Sequence, residues 1–188
     1  MAKNKTKKLL KVSLFIFIAV VLFGKISYND VQKIMYPQKY SEYVEKYSSE
    51  YSVSEVLIYS VIRTESGFDP ESVSVADAIG LMQMTEDTFD WLKMKTGEEY
   101  VFEDLFTPEI SIKYGALFLS VLMNEYETTE TALAGYHAGM GNVSSWLGNP
   151  EYSEDGKTLK NIPIPDTAHY VYKVTKAMDN YNKIYTEE

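Results

Sequence analysis

The chain has 188 residues, 45% of them hydrophobic, which is one domain's worth of material with enough apolar mass for a core; a disordered chain is excluded. Cysteine is absent and histidine is limited to His137 and His169, which excludes a disulfide scaffold, a cysteine nucleophile and a thiolate or histidine-rich metal site. A net charge of −9 argues against nucleic acid, whose phosphates require a basic stripe.

That charge is unevenly spread. Lys3, Lys5, Lys7, Lys8 and Lys11 crowd the amino end, no acid appears before Asp30, and the chain beyond residue 24 carries a net charge of −14. Residues 12–24 are an apolar run. Thirteen helical residues span only about 20 Å, whereas Leu9 to Ile26 reach about 27 Å if Lys11 and Lys25 snorkel to the two interfaces of a hydrocarbon core roughly 30 Å thick. A retained signal anchor is favoured over a cleaved signal peptide, because the run ends in LFGKISYN without the small residues of a cleavage site. The expected order is a basic cytoplasmic tail (1–8), a transmembrane segment (9–26), a stalk (27–40) and a body (41–188). The lysines orient that body outward, as in a single-pass protein of a bacterial cell membrane; cleavage would make it secreted.

Helical signals dominate the body. Ser52 and Glu55 read as a capping box opening a helix that Gly67 stops. Thr85 reads as the cap of a helix running to about Lys95. Thr107 and Pro108 open a long one, along which Ile110, Tyr114, Leu117, Phe118, Val121 and Leu122 recur at helical spacing. Thr129 opens another that ends near Gly139, a short segment follows around Val143–Leu147, and the last helix covers about 166–181. Residues 148–165 are loop-like, and no alternating strand pattern appears. The fold class is mostly α.

Chemistry points first to the helix before Gly67. Leu57, Val61 and Glu65 stand at i, i+4 and i+8, so an acid continues an apolar stripe. Burial raises a carboxyl pKa, as a general acid working near neutral pH requires. The alternative is a helix-end glutamate turned to solvent or paired with Arg63.

Three segments extend this reading: ESGFDPESVSVADAIGLMQM (65–84), ALAGYHAGMGNVSSW (132–146) and IPIPDTAHYVYKV (162–174). In that order and spacing they resemble the catalytic domain of lytic transglycosylases of the soluble type, relatives of goose-type lysozyme that cleave peptidoglycan. The resemblance covers roughly residues 45–185. Glu65-Ser66 matches the family's Glu-Ser, Gly80-Leu81-Met82-Gln83 its Gly-Leu-Met-Gln, and Tyr170-Val171 its late Tyr-Val. Gly135–Gly139 matches Ala-Tyr-Asn-Ala-Gly with two departures, one being His137 in place of Asn. Further departures are Asp77 for Gly, Glu86 for Pro, Ser111 for Asn and Asp166 for Glu.

The resemblance implies a lysozyme-like helical domain and non-hydrolytic cleavage of the MurNAc–GlcNAc β-1,4 bond, which leaves 1,6-anhydro ends. Glu65 would act as acid and then base, with Tyr170 holding or tuning its proton. Ser66, Met82, Gln83, Tyr136 and His137 would contact the glycan, with a place in the core as the alternative for Met82 and Tyr136. No metal and no cofactor are expected. The partners implied are glycan strands, the membrane through the anchor and, for small anchored members, a secretion or conjugation machine; a monomer is expected. The alternatives are a hydrolytic muramidase, needing Asp69 or Asp77 as a second carboxylate, and a non-catalytic glycan-binding domain.

Overall fold

The computed structural model describes residues 12–14 and 28–185. The chain divides into two compact units, Met1–Pro37 and Gln38–Glu188. In the first, the stretch expected as a stalk is helical over Tyr28–Met35 (α1), with Val31, Ile34 and Met35 exposed. Most of the expected transmembrane segment, 9–26, lies outside the described residues. Among the described residues no helix is long and apolar enough to cross a membrane.

The second unit is built from α2 (Ser41–Tyr51), α3 (Glu55–Glu65), α4 (Glu86–Thr96), a 3-10 turn (Phe102–Phe106), α5 (Pro108–Glu125), α6 (Thr129–Ala138), α7 (Met140–Leu147) and α8 (Pro165–Tyr185). Among the described residues no strand forms, and extended pairing is limited to the bridges Val73–Ile79 and Ile79–Met84.

The apolar stripe of α3 explains its place at the centre. Leu57, Ile58, Val61 and Ile62 are all buried, each worth roughly 1.5–3 kcal/mol over exposure. The face of α3 packs chiefly against α8, which supplies Val171, Val174, Ala177 and Tyr181. Tyr181 stacks on Tyr59 with ring centroids 5.6 Å apart. The long α5 is fixed by Pro108 at its first turn and passes between α2 on one side and α6 on the other. In turn, α6 closes the bundle against α8.

Helix ends depart from expectation in instructive ways. The capping box at Ser52 does not form: Ser52 adopts the left-handed conformation (φ 55°) that ends α2, and Ser54 precedes α3. A tight link ties these helices, with the Val53 N–H donating to the Ser48 carbonyl at 3.1 Å and the Ser48 hydroxyl donating to the Val53 carbonyl at 2.6 Å. That turn outcompetes the local cap. At α6 the capping residue is Thr128 rather than Thr129, its hydroxyl accepting from the Thr131 N–H at 3.2 Å.

Candidate active site

Glu65 is the last residue of α3, and its position follows from the stripe that buries the helix. Gly67 (φ 60°) then turns the chain away, so the carboxyl is left at the helix end facing a cleft of about 290 Å³. Burial pushes the carboxyl up to about 7, although the Tyr170 hydroxyl and the Lys173 ammonium both pull it back down. Such a group is half-protonated near neutral pH. Among the described residues lining the cleft, Glu65 is the one acid.

Residues Gly80-Leu81-Met82-Gln83 form a tight reversal. Ile79 and Met84 exchange backbone hydrogen bonds at 3.0 and 3.1 Å, and the four residues between them turn back, with Gly80 (φ 80°) and Gln83 (φ 46°) both left-handed. Gly80 is required twice over, by its φ and because a Cβ there would collide with the Leu105 carbonyl. Side chains from three helical segments then hold the turn. The Ser66 hydroxyl donates to the Leu81 carbonyl at 2.8 Å, the Ser111 hydroxyl accepts from the Met82 N–H at 3.2 Å, and the Tyr136 hydroxyl donates to the Met82 carbonyl at 2.8 Å. These bonds lock the turn to the end of α3, and so fix one wall of the cleft relative to Glu65.

This clasp changes the picture drawn from the sequence for several residues. Met82 does not reach the cleft: its side chain is fully buried in the core and packs on Gly115, where any Cβ would strike its sulfur. That contact also explains a glycine in the middle of α5, a position that costs about 1 kcal/mol in helix propensity. The Ser66 side chain belongs to the clasp rather than to the cleft lining. Gln83 does line the cleft, but its Nε2 donates to the Ser72 and Gly80 carbonyls at 2.9 and 3.0 Å, which leaves Oε1 as the free end. Tyr136 also lines the cleft, with its ring on Phe118 (centroids 5.1 Å apart) and its hydroxyl committed to Met82.

Tyr170 and His137 stand together at the other side. Their rings lie 4.6 Å apart, and the imidazole Nδ1 is 3.1 Å from the Thr167 hydroxyl. Burial holds the His137 pKa below its ordinary value; Asp166 opposes this and Lys173 reinforces it, so the ring facing the cleft is neutral. The Tyr170 hydroxyl is buried and completes no hydrogen bond, even though it bears closely enough on Glu65 to lower its pKa. A buried hydroxyl without a partner costs roughly 1–3 kcal/mol, and it marks a place where a ligand or a shifted carboxylate would complete the geometry.

Asp69 and Asp77 are exposed and absent from the cleft lining; Asp69 accepts from the Glu71 N–H at 3.1 Å in a local turn. The sequence reading missed the wall formed by Ser74, Val75, Ala76 and Ala78, and it missed Thr85, Thr88 and Phe118. A left-handed Asp77 (φ 55°) and a Ser74 hydroxyl accepting from the Ala76 and Ala78 N–H groups shape that wall, and only the Asp77-for-Gly departure hinted at it.

A family model described as the transglycosylase SLT domain matches residues 42–159. Among curated relatives, the chain is 29% identical over 172 residues to a membrane-bound lytic murein transglycosylase C of Serratia proteamaculans (strain 568). It is 31% identical over 173 residues to the protein of the same name from Yersinia pestis (strain Pestoides F). Both alignments cover 77% of this chain and 47% of the relative, so the chain spans about half the length of the curated relatives it matches. Among solved structures, the 70 kDa soluble lytic transglycosylase Slt70 from Escherichia coli aligns at 25% identity and a TM-score of 0.71, over 82% of this chain and 26% of that one. The lytic transglycosylase Slt from Pseudomonas aeruginosa shares the fold at a TM-score of 0.71 and 23% identity, over 94% of this chain and 29% of that one. The bundle around Glu65 is thus the lysozyme-like fold of these proteins and, with more than half of its length matched by the family model, the chain belongs to the transglycosylase SLT domain family.

Proposed function

We propose that this protein is a peptidoglycan lytic transglycosylase in which Glu65 serves as acid and then as base. The observation that carries the reading is a single half-buried carboxyl, held near neutrality in its pKa, in a cleft whose described lining offers no second acid. Protonated Glu65 donates its proton to the glycosidic oxygen between N-acetylmuramic acid and N-acetylglucosamine. The ionised carboxylate then accepts the proton of the muramyl C6 hydroxyl as that oxygen bonds to the anomeric carbon. One C–O bond breaks, one forms, the proton returns to Glu65, and no water is consumed.

The intramolecular nucleophile explains how one carboxyl can suffice where other glycosidases use two, since a tethered hydroxyl gains the effective molarity that a free water lacks. Tyr170 tunes Glu65, whereas the free Oε1 of Gln83, the Tyr136 ring and the His137 imidazole face the glycan. Hydrolysis would call for a water-positioning base, and the exposed Asp69 and Asp77 are poorly situated for it. Residues 9–26 anchor the domain to the bacterial membrane with the cleft outside, in keeping with the membrane-bound naming of its relatives. From there it would open the wall beside a secretion or conjugation machine.

The test is digestion of purified peptidoglycan by the full chain in detergent and by its Glu65→Gln variant, with muropeptides weighed by mass spectrometry. Anhydromuramyl products that vanish with Glu65→Gln are expected. Reducing-end products would make the protein a muramidase, and no Glu65-dependent product would leave a glycan-binding domain. Deletion of residues 9–26 should release the protein from sedimented membranes.

A further inference from the structure

Helix α1 shows solvent the kind of side chain that α3 hides. Val31, Ile34 and Met35 are 42, 73 and 52% exposed, whereas Ile58, Val61 and Ile62 of α3 are fully buried. Isolated apolar side chains on a surface are ordinary, but these three form a stripe. With 3.6 residues per turn they share an arc of about 100° on the helix, and Asp30, Gln32 and Lys33 take the remainder of its circumference. The Tyr36 N–H donates to the Gln32 carbonyl at 2.9 Å, and Pro37 follows with no N–H to carry the helix further.

The sequence before α1 identifies what covers the stripe. The apolar run expected to span the membrane ends at Ile26, and α1 begins at Tyr28. A chain that leaves the hydrocarbon at Ile26 starts its next helix among the lipid headgroups. The described helix rises only about 12 Å and carries Asp30 and Lys33, so it is too short and too polar to be a span. One apolar face and one polar face is instead the pattern of a helix lying in the plane of the interface. The charges of Asp30 and Lys33 cancel, which leaves the apolar stripe rather than lipid charge to supply the attraction. So short a helix binds weakly alone, but a span joined directly to it makes its docking intramolecular.

We infer that α1 is an interfacial helix whose Val31, Ile34 and Met35 side chains dip into the outer leaflet of the lipid bilayer beside the anchor. This rests on the reading of residues 9–26 as a membrane anchor. The segment expected as a stalk then does not stand away from the membrane. Residues 36–40 alone remain as a tether, at most about 18 Å of chain against about 50 Å for an extended 27–40. The enzyme is thereby held to wall glycan lying close to the membrane.

The chain has no cysteine, so a single introduced thiol can be labelled uniquely. The experiment places an environment-sensitive fluorophore on Val31→Cys, Ile34→Cys or Lys33→Cys in the full chain. Each is reconstituted into vesicles of equal parts phosphatidylethanolamine and phosphatidylglycerol, with and without nitroxide-bearing acyl chains. Flotation of the vesicles is scored separately and reports the anchor. Probes at Val31 and Ile34 should shift to the blue and be quenched by the lipid nitroxide, several-fold more than the probe at Lys33 on the opposite face. The same shifts are expected in vesicles of phosphatidylcholine alone, because the stripe and not charge drives the contact.

Unshifted, unquenched probes at both Val31 and Ile34 in a protein that floats would overturn the interfacial helix and leave the anchor standing. A blue shift without lipid quenching would mean that protein covers the stripe and would overturn lipid as the occupant; disulfide-linked dimers of unlabelled Ile34→Cys would then name a second copy of the chain. Equal quenching at Lys33 and Ile34 would make α1 part of the span, which also overturns the proposal. A protein that fails to float would sink the anchor reading, and the interfacial helix with it.

Discussion

Glu65 and Glu98 are both acids partly withdrawn from water, and the molecule treats them in opposite ways. Burial pushes both upward. At Glu98 the Lys113 ammonium and the Tyr114 hydroxyl, the latter at 2.9 Å, outweigh burial and hold the carboxyl below its ordinary range. At Glu65 there is no cation in contact, the one nearby hydroxyl closes no complete bond, and the carboxyl rises to about 7. The first corner joins the segment after α4 to α5 and stabilises the fold. The second leaves an acid with its proton available. Burial alone makes neither a brace nor a catalyst; the partner decides which.

Breaking the unpartnered side should have the largest effect. Glu65→Gln is expected to lower anhydro-product formation about a thousandfold or more, as loss of a group proposed to act in both proton transfers demands. Next comes Tyr170→Phe, with a drop of about 10–100-fold in turnover. Because the Tyr170 hydroxyl lowers the Glu65 pKa, its removal should move the alkaline limb of the pH–rate profile upward. A downward move would show that Tyr170 does not act on Glu65 in this way.

The same contrast predicts opposite responses of stability to pH. Glu65 titrates near 4.5 when unfolded and near 7 when folded, so its contribution is fully present below about 4.5 and is lost as pH rises through 7. Glu65→Gln should therefore be more stable than the parent at pH 8 by about 3 kcal/mol in urea melts, and show little difference at pH 4. For Glu98 the sign reverses. Its contribution is present above the ordinary carboxylate range and lost as pH falls through its lowered folded value. Lys113→Met should cost about 1–3 kcal/mol at pH 7, partly recovered by adding Glu98→Gln, which removes the orphaned charge. The smallest effect is expected at His137→Asn, which replaces the imidazole by the amide that the sequence resemblance implies there: turnover should change by no more than about threefold, under 1 kcal/mol in barrier.

Much of the site was readable because it is written locally. The i, i+4, i+8 stripe ending at Glu65 needed only α3, and Thr107-Pro108 declared the start of α5. What could not be read depends on partners distant in sequence. Met82 was expected near the glycan, and its burial hinges on Gly115, 33 residues further on. The role of Ser111, a buried hydroxyl holding the Met82 N–H, lies in an otherwise apolar face and gives no periodic signal. The 3-10 turn at Phe102–Phe106 is too short to show any period. The wall at Ser74–Ala78 is a loop shaped by hydroxyl-to-backbone bonds, for which hydrophobic patterning carries no information.

The most direct measurement is the titration of the Glu65 carboxyl itself, by 13C NMR of glutamate-labelled protein with Glu65→Gln to assign the resonance. A midpoint near 7, moving higher in Tyr170→Phe, is the result predicted for a half-buried acid that is still half-protonated at neutral pH. A midpoint in the ordinary range near 4.5 would mean that the carboxylate is solvated or paired, and Glu65 could not then be the acid that begins the reaction.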